Sequence, residues 1–266
     1  PQKNDDNALE MYTLQCRNHI LKPLAEKYGI DTSDEAIRAA VEQHNEVCRL
    51  IRAIGDFRKE ANPRVTGYEF HILTLVSYVA PKHLIVDKLR ETLEEIKTRE
   101  PDAADKYRAR VVFVGSEVDD VDVIRLVEES GAYVCADRFC YGSLPGRDEI
   151  LLNDEEDVVK QVCRQVQGRA QCPRYWDMAK MTGRRDYVAD LAKEYGADGI
   201  IYEQMKFCDP WAYERMIGTI VLRDEHGYPV LAVDRPYSIG SSGQMRTRVQ
   251  AFVESIEIKK IQGGKK

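Results

Sequence analysis

The chain has 266 residues, 43% of them apolar, which is enough for one large or two modest cores and too apolar for a disordered protein. Lys and Arg number 39 against 45 Asp and Glu, a net charge of -6 with both signs mixed, so no long basic stripe is offered to a nucleic-acid backbone. No apolar run approaches the roughly 18 residues of a membrane helix and the start "PQKNDDNALE" is polar and acidic, so the expectation is a cytoplasmic protein with neither nucleic acid nor membrane as partner.

In chain order, residues 7 to about 100 carry apolar side chains at three and four spacing in "LEMYTLQCRNHILKPLAEKY", "SDEAIRAAVEQHNEVCRLIRAI" and "LIVDKLRETLEEIKTRE". Gly29 ends the first of these helices, Ser33 with Asp34 and Glu35 starts the second, and "EANPRVTGYE" is a loop before a further apolar stretch. A helical domain over 1–104 is expected, followed by an α/β domain over 105–266.

After Arg110 the period changes. "RVVFVG" reads as a strand ending in glycine, "DVDVIRLVEESGA" as an amphipathic helix and "YVCAD" as the next strand. The unit recurs in "RRDYVADLAKEYGA" and "DGIIYEQ", then in "DPWAYERMIGTIVLRDEHG" and "YPVLAVD", and "GQMRTRVQAFVESIEI" closes the set. The fold class expected is α/β: a helical N-terminal region, then a Rossmann-like parallel sheet of about four strands with helices on both faces. Residues 138–182, with Pro145, Gly146 and the helix-like "DEEDVVKQVCRQV", interrupt the alternation as a surface insertion or as a lid or subunit contact.

Ligands gather beyond the carboxyl ends of such strands. Those ends carry Gly115, Ser116 and Glu117; Asp137, Cys140 and Gly142; Glu203, Gln204, Lys206 and Cys208; and Asp234 with the loop from Ser238 to Gly243. Cys208 precedes Asp209 and Pro210, an expected helix cap and first turn, so the helix dipole and Lys206 should lower its thiol pKa; it is either a ligand or nucleophile, or a small packing residue. "PYSIGSSGQMRTR" has the composition of an anion-cradling loop, with Arg246 and Arg248 available, or of a flexible loop before a capped helix. Of the four carboxylates of "SEVDDVD", three are expected in the first turn of a helix, where the dipole favours negative charge, rather than at a metal. Seven cysteines are present without a CxxC pair, so a self-contained zinc or ferredoxin-type site is not expected, and Cys16, Cys48 and Cys135 read as structural.

The ordered set "GAYVCADRFCYGS", "AQCPRYW", "GADGIIYEQMKFCDPW" and "YSIGSSGQMRTRVQAFVES", together with "TGYEF", resembles the iron-sulfur subunits shared by benzoyl-CoA reductases and 2-hydroxyacyl-CoA dehydratases. The resemblance covers essentially the whole chain, and "YEQMKFCDPWAYER" and "SSGQMRTRVQAFVE" look closer to the reductase. It implies radical chemistry on a CoA thioester with a [4Fe-4S] cluster, a homologous cluster-bearing partner subunit, an ATP-hydrolysing iron-sulfur activator and ferredoxin as the electron source. The activity implied is reductive dearomatisation of benzoyl-CoA, with 2-hydroxyacyl-CoA dehydration or an electron-relay subunit as alternatives. Cys208 matches the family's last cluster cysteine, while Lys206, Ser238, Gly240, Gly243, Gln244 and Arg246 fall near the cluster or the acyl-CoA. In the family the other two cluster cysteines come from an N-terminal α/β domain, and Cys140 is not a ligand position. The expectation is therefore that this chain by itself holds little or no iron.

Overall fold

The computed structural model describes residues 3–101, 106–143, 148–175, 178–237 and 242–263. Helix α1 (Asp6–Cys16) is capped by the Asp5 carboxylate and runs through a π turn (Arg17–Leu21) into α2 (Lys22–Tyr28). Ser33 caps α3 (Asp34–Asp56), and Thr66 with Glu69 forms a reciprocal capping box at α4 (Gly67–Val79), which α5 (Lys82–Thr98) follows. The three and four spacing of Val47, Ile51 and Ile54 puts them on one stripe of α3, where they meet Phe70 of α4 and Ile85, Leu89 and Ile96 of α5.

Strands β1 (Ala109–Val114), β2 (Ala132–Arg138), β3 (Gly199–Met205) and β4 (Val230–Arg235) form the expected parallel sheet, in the order β2-β1-β3-β4. Because side chains alternate along a strand, Val111, Phe113 and Ile201 face one way and Val112, Val114, Ile200 and Tyr202 the other. The first face is covered by α6 (Val121–Glu129) and α10 (Ser242–Gly263), the second by α8 (Met178–Glu194) and α9 (Asp209–Asp224). Each fully buried Val, Ile, Leu or Phe there contributes about 1.5–3 kcal/mol. From β1 the chain goes to β2 on one side, whereas β3 pairs on the other. The crevice outside the carboxyl ends of β1 and β3 is therefore the switch point of the sheet.

Buried polar contacts join the helices to the sheet, among them those of Glu128 and Arg58. Glu128 of α6 accepts from the amides of Gly67 and Tyr68, at 2.8 and 3.1 Å, so a carboxylate from one element caps the N-terminus of another. That approach leaves no room for a side chain at Gly67, where a Cβ would lie 2.6 Å from the Val134 Cβ. Arg58 pairs with Asp137 at 3.1 Å and lies 3.6 Å over the Phe70 ring.

Helix α7 (Val158–Arg169), within the 138–182 excursion, packs Val159 and Cys163 against Leu9 and Cys16 of α1. The Asn45 side chain bonds both ways to the Ile150 backbone, at 2.7 and 2.8 Å. The excursion is thus fastened to the N-terminal helices; Pro145 and Gly146 lie outside the described residues. No helix among the described residues is long and apolar enough to cross a membrane.

Candidate functional site at the sheet switch point

Beyond β3 the chain makes a one-turn loop in which the Cys208 amide donates to the Met205 carbonyl at 3.1 Å and the Lys206 amide to the Arg235 carbonyl at 2.8 Å. Within this loop Phe207 has φ 70 and a side chain 97% exposed. A left-handed conformation in a bulky residue costs about 1–3 kcal/mol, so the surrounding bonds hold this backbone against its own preference.

Cys208, not Asp209, is the N-cap of α9; Asp209 and Pro210 are its first residues, and the Cys208 side chain makes no capping hydrogen bond. The expected fall in the thiol pKa is also reversed. Burial pushes the Cys208 thiol above its ordinary value, with Glu117 and Cys172 adding to the rise, while the Trp211 amide and Arg174 oppose it. Lys206 instead stands 4.0 Å from Asp234, both about half exposed. The dipole is present, but desolvation outweighs it.

Arg174 and Cys172 reach this edge through Arg138. Its guanidinium donates to the Gln171 side chain at 3.0 Å and to the Gln171 carbonyl, and lies 4.7 Å over the Trp211 ring in the first turn of α9. The end of β2, the 171–175 segment and the start of α9 are thereby drawn together. Cys140 joins the group, and burial raises its thiol to about 11, with Arg138 opposing and Glu117, Cys172 and Cys208 adding. A cleft of about 600 Å³ opens beside Asp209 and Pro210, walled by Pro173, Tyr175, Met181 and Tyr213.

Behind the loop lies Glu203, fully buried. Its Oε2 accepts from the Ser116 amide at 3.1 Å and the Ser116 hydroxyl at 3.0 Å, and its Oε1 is 2.9 Å from Arg235 Nε. Burial pushes this carboxyl up to about 7, against the pull of Arg235 and Ser116. Arg235 also donates to the carbonyls of Glu117, Pro236 and Tyr237.

The remaining sequence candidates are spread around this edge. Gln244 sits with Asp234 and Arg235 in a small cavity at the end of β4, whereas Arg246 pairs with Glu129 at 2.8 Å and Arg248 donates to the Ala232 carbonyl at 2.6 Å. Both arginines are engaged by the protein. Gly243 lies in the first turn of α10; Ser238 and Gly240 lie outside the described residues. Of the four carboxylates in "SEVDDVD", only Asp122 lies in the first turn of α6; Asp120 is its cap and Glu117 belongs to the switch-point edge. Sequence reasoning passed over Cys172, Arg174 and Arg235 because no local spacing links them to Cys208. A strand ending in Tyr-Glu-Gln was the one signal for Glu203.

Among the described residues no group of three His, Cys, Asp or Glu side chains is placed to hold a metal ion. A four-iron cluster held on protein thiolates needs more ligands than Cys208 offers, so the described residues do not by themselves fit such a group.

The family model for the 2-hydroxyglutaryl-CoA dehydratase D-component matches residues 1–256. The chain belongs to this D-component family. Its relatives include the (R)-phenyllactyl-CoA dehydratase beta subunit of Clostridium sporogenes, 26% identical over 86% of this chain and 59% of that protein. A benzoyl-CoA reductase subunit of Thauera aromatica is 22% identical over 96% of this chain and 65% of the relative. The beta subunit of (R)-2-hydroxyglutaryl-CoA dehydratase of Acidaminococcus fermentans is 25% identical over 96% and 67%. This D-component chain thus spans about three fifths to two thirds of the length of these relatives, which are named as subunits of dehydratases or of a reductase.

Proposed function

We propose that this chain is part of an iron-sulfur subunit of a multi-subunit cytoplasmic enzyme that acts on a CoA thioester with low-potential electrons. The observation that carries this reading is the place of Cys208: at the switch point, at the head of α9, in the "KFC" segment that resembles the family's last cluster cysteine. Cys208 supplies one thiolate to a [4Fe-4S] cluster, and the remaining ligands come from thiols outside the described group. Such a group, if bound there, would supply electron relay or Lewis acidity. The chain's own part is to hold Cys208 in place and to shield it from water on the side of Trp211 and Tyr202, which pack beneath it. Lys206, Gly243, Gln244, Arg246 and the segment containing Ser238 and Gly240 are assigned to the surroundings of the cluster or the acyl-CoA. A homologous cluster-bearing subunit, an ATP-hydrolysing iron-sulfur activator and ferredoxin complete the proposed system.

Reductive dearomatisation of benzoyl-CoA is the activity we favour, on the likeness of residues 202–215 and 241–254 to the reductase. Dehydration of a 2-hydroxyacyl-CoA is the second reading, favoured by the D-component match and the phenyllactyl-CoA dehydratase relative. Assays of the assembled complex with benzoyl-CoA and with (R)-phenyllactyl-CoA separate the two. In the same complex, Cys208→Ser should abolish activity and the signal of one cluster while leaving the circular dichroism spectrum unchanged; a normal cluster signal would remove Cys208 from the ligand set. The 266-residue chain purified alone should contain little iron. Roughly four iron and four sulfide per chain would contradict that.

A further inference from the structure

We propose that Ser116 and Glu203 act as a positioning bracket for Cys208, setting the presentation and reactivity of its thiol from behind the sheet edge. The path is short and made of buried groups. Glu203 Oε2 accepts from the Ser116 hydroxyl at 3.0 Å, Ser116 Oγ accepts from the Met205 amide at 2.9 Å, and the Met205 carbonyl accepts from the Cys208 amide at 3.1 Å. The bracket therefore grips Met205, at the start of the loop in which Phe207 holds its unfavourable φ of 70, and reaches Cys208 through that loop's own hydrogen bond to Met205.

Three features separate this arrangement from ordinary packing. Glu203 is a carboxylate with no exposed surface, and burying such a charge is costly unless its partners return the energy. Gly115 is confined to glycine by it: a Cβ there would run into the Glu203 carboxylate and lie 2.9 Å from the Glu203 carbonyl oxygen. The bracket also ties the segment that leaves β1, through Ser116, to β3, through Glu203, with Arg235 joining from β4.

The charged groups facing Glu203 are Arg235 from β4 and Glu117 from the segment after β1. Ionised, Glu203 draws the Ser116 hydroxyl proton toward itself and makes Ser116 Oγ a stronger acceptor for the Met205 amide. Protonated, it weakens that grip. Burial places the change at about 7.

The meaning of the bracket for catalysis rests on the reading of Cys208 as a ligand, but its test reads the thiol itself. The rate of Cys208 alkylation by iodoacetamide, followed by peptide mass with Cys16 as internal reference, is compared in wild type, Ser116→Ala, Ser116→Thr and Glu203→Gln between about pH 6 and 9. Loss of one hydrogen bond should speed Cys208 alkylation about three- to tenfold in Ser116→Ala, with Ser116→Thr closer to wild type. Glu203→Gln should lose a rate step near neutral pH that wild type shows below the titration of the thiol. Rates within about twofold of wild type and an unchanged pH profile in Ser116→Ala would overturn the proposal, even if the denaturation midpoint fell, since a scaffold role alone predicts that pattern. Should Glu203→Gln fail to fold, Ser116→Ala carries the test, because it removes a single hydroxyl. None of these readings depends on iron, so a failure of the cluster assignment and a failure of the bracket are told apart.

Discussion

Glu128 and Glu203 are both buried carboxylates, and burial pushes both up to about 7. Their partners differ. Glu128 accepts from three backbone amides, those of Gly67, Tyr68 and Val134, and so closes the joint between α4 and the sheet. Glu203 faces one backbone amide, that of Ser116, together with the Ser116 hydroxyl and a guanidinium, and the hydroxyl passes its hold to the loop that carries Cys208. A shifted acid is therefore not in itself the mark of a site; what it grips decides. Glu128 therefore caps a helix through backbone amides, whereas Glu203 reaches the loop of Cys208 through the Ser116 hydroxyl.

The largest effect expected on the joint is from Arg58→Met, which takes the guanidinium away from the buried Asp137 beside Phe139 and Ser143. Breaking a buried pair this way should cost about 3–5 kcal/mol in chemical denaturation. At the switch point Gly115→Ala and at the joint Gly67→Ala should each cost about 1–3 kcal/mol by overpacking, but only Gly115→Ala should also change Cys208 alkylation. Equal effects on the thiol would dissolve the distinction between the two regions.

The pH dependence sharpens it further. Each carboxyl titrates higher when folded, about 7 against an ordinary 4.5, so the folded state binds more protons between these values. Stability from these groups is greatest below pH 4.5 and declines as pH rises through 7, each with a slope of at most about 1.4 kcal/mol per pH unit. Glu128→Gln should flatten part of that decline in denaturation measured from about pH 5 to 8, without altering Cys208. At the small end, Arg246→Ala removes an exposed pair with Glu129 and should shift stability by no more than about 0.5 kcal/mol.

Much of the architecture was legible in the sequence. The change from three and four spacing to short alternating strands after Arg110 placed every strand to within two residues at either end, and the turn residues Gly29, Ser33 and Thr66 stand where helices end or begin. The carboxyl-edge residues were also legible, because the strand-to-helix order alone says which end of each strand faces the crevice. What misled was the ionisation of Cys208. A dipole and a neighbouring lysine are visible in the chain order, whereas desolvation by Tyr202 and Trp211 and the field of Glu117 and Cys172 depend on residues up to 91 positions away.

By itself the sequence determined the α/β class, the family likeness and the start of α9 to within one residue, because periodicity, capping and ordered motifs are local properties of the chain. Only the tertiary structure decided that Arg174 rather than Lys206 is the cation acting on the thiol, that Arg246 is engaged by Glu129, and that Glu203 and Ser116 stand behind the loop. Those are relations between strands and helices brought together by the parallel sheet, whose neighbours are far apart in the chain. Burial then sets the energies, since the same carboxyl or thiol in water would keep its ordinary pKa and hold nothing in place.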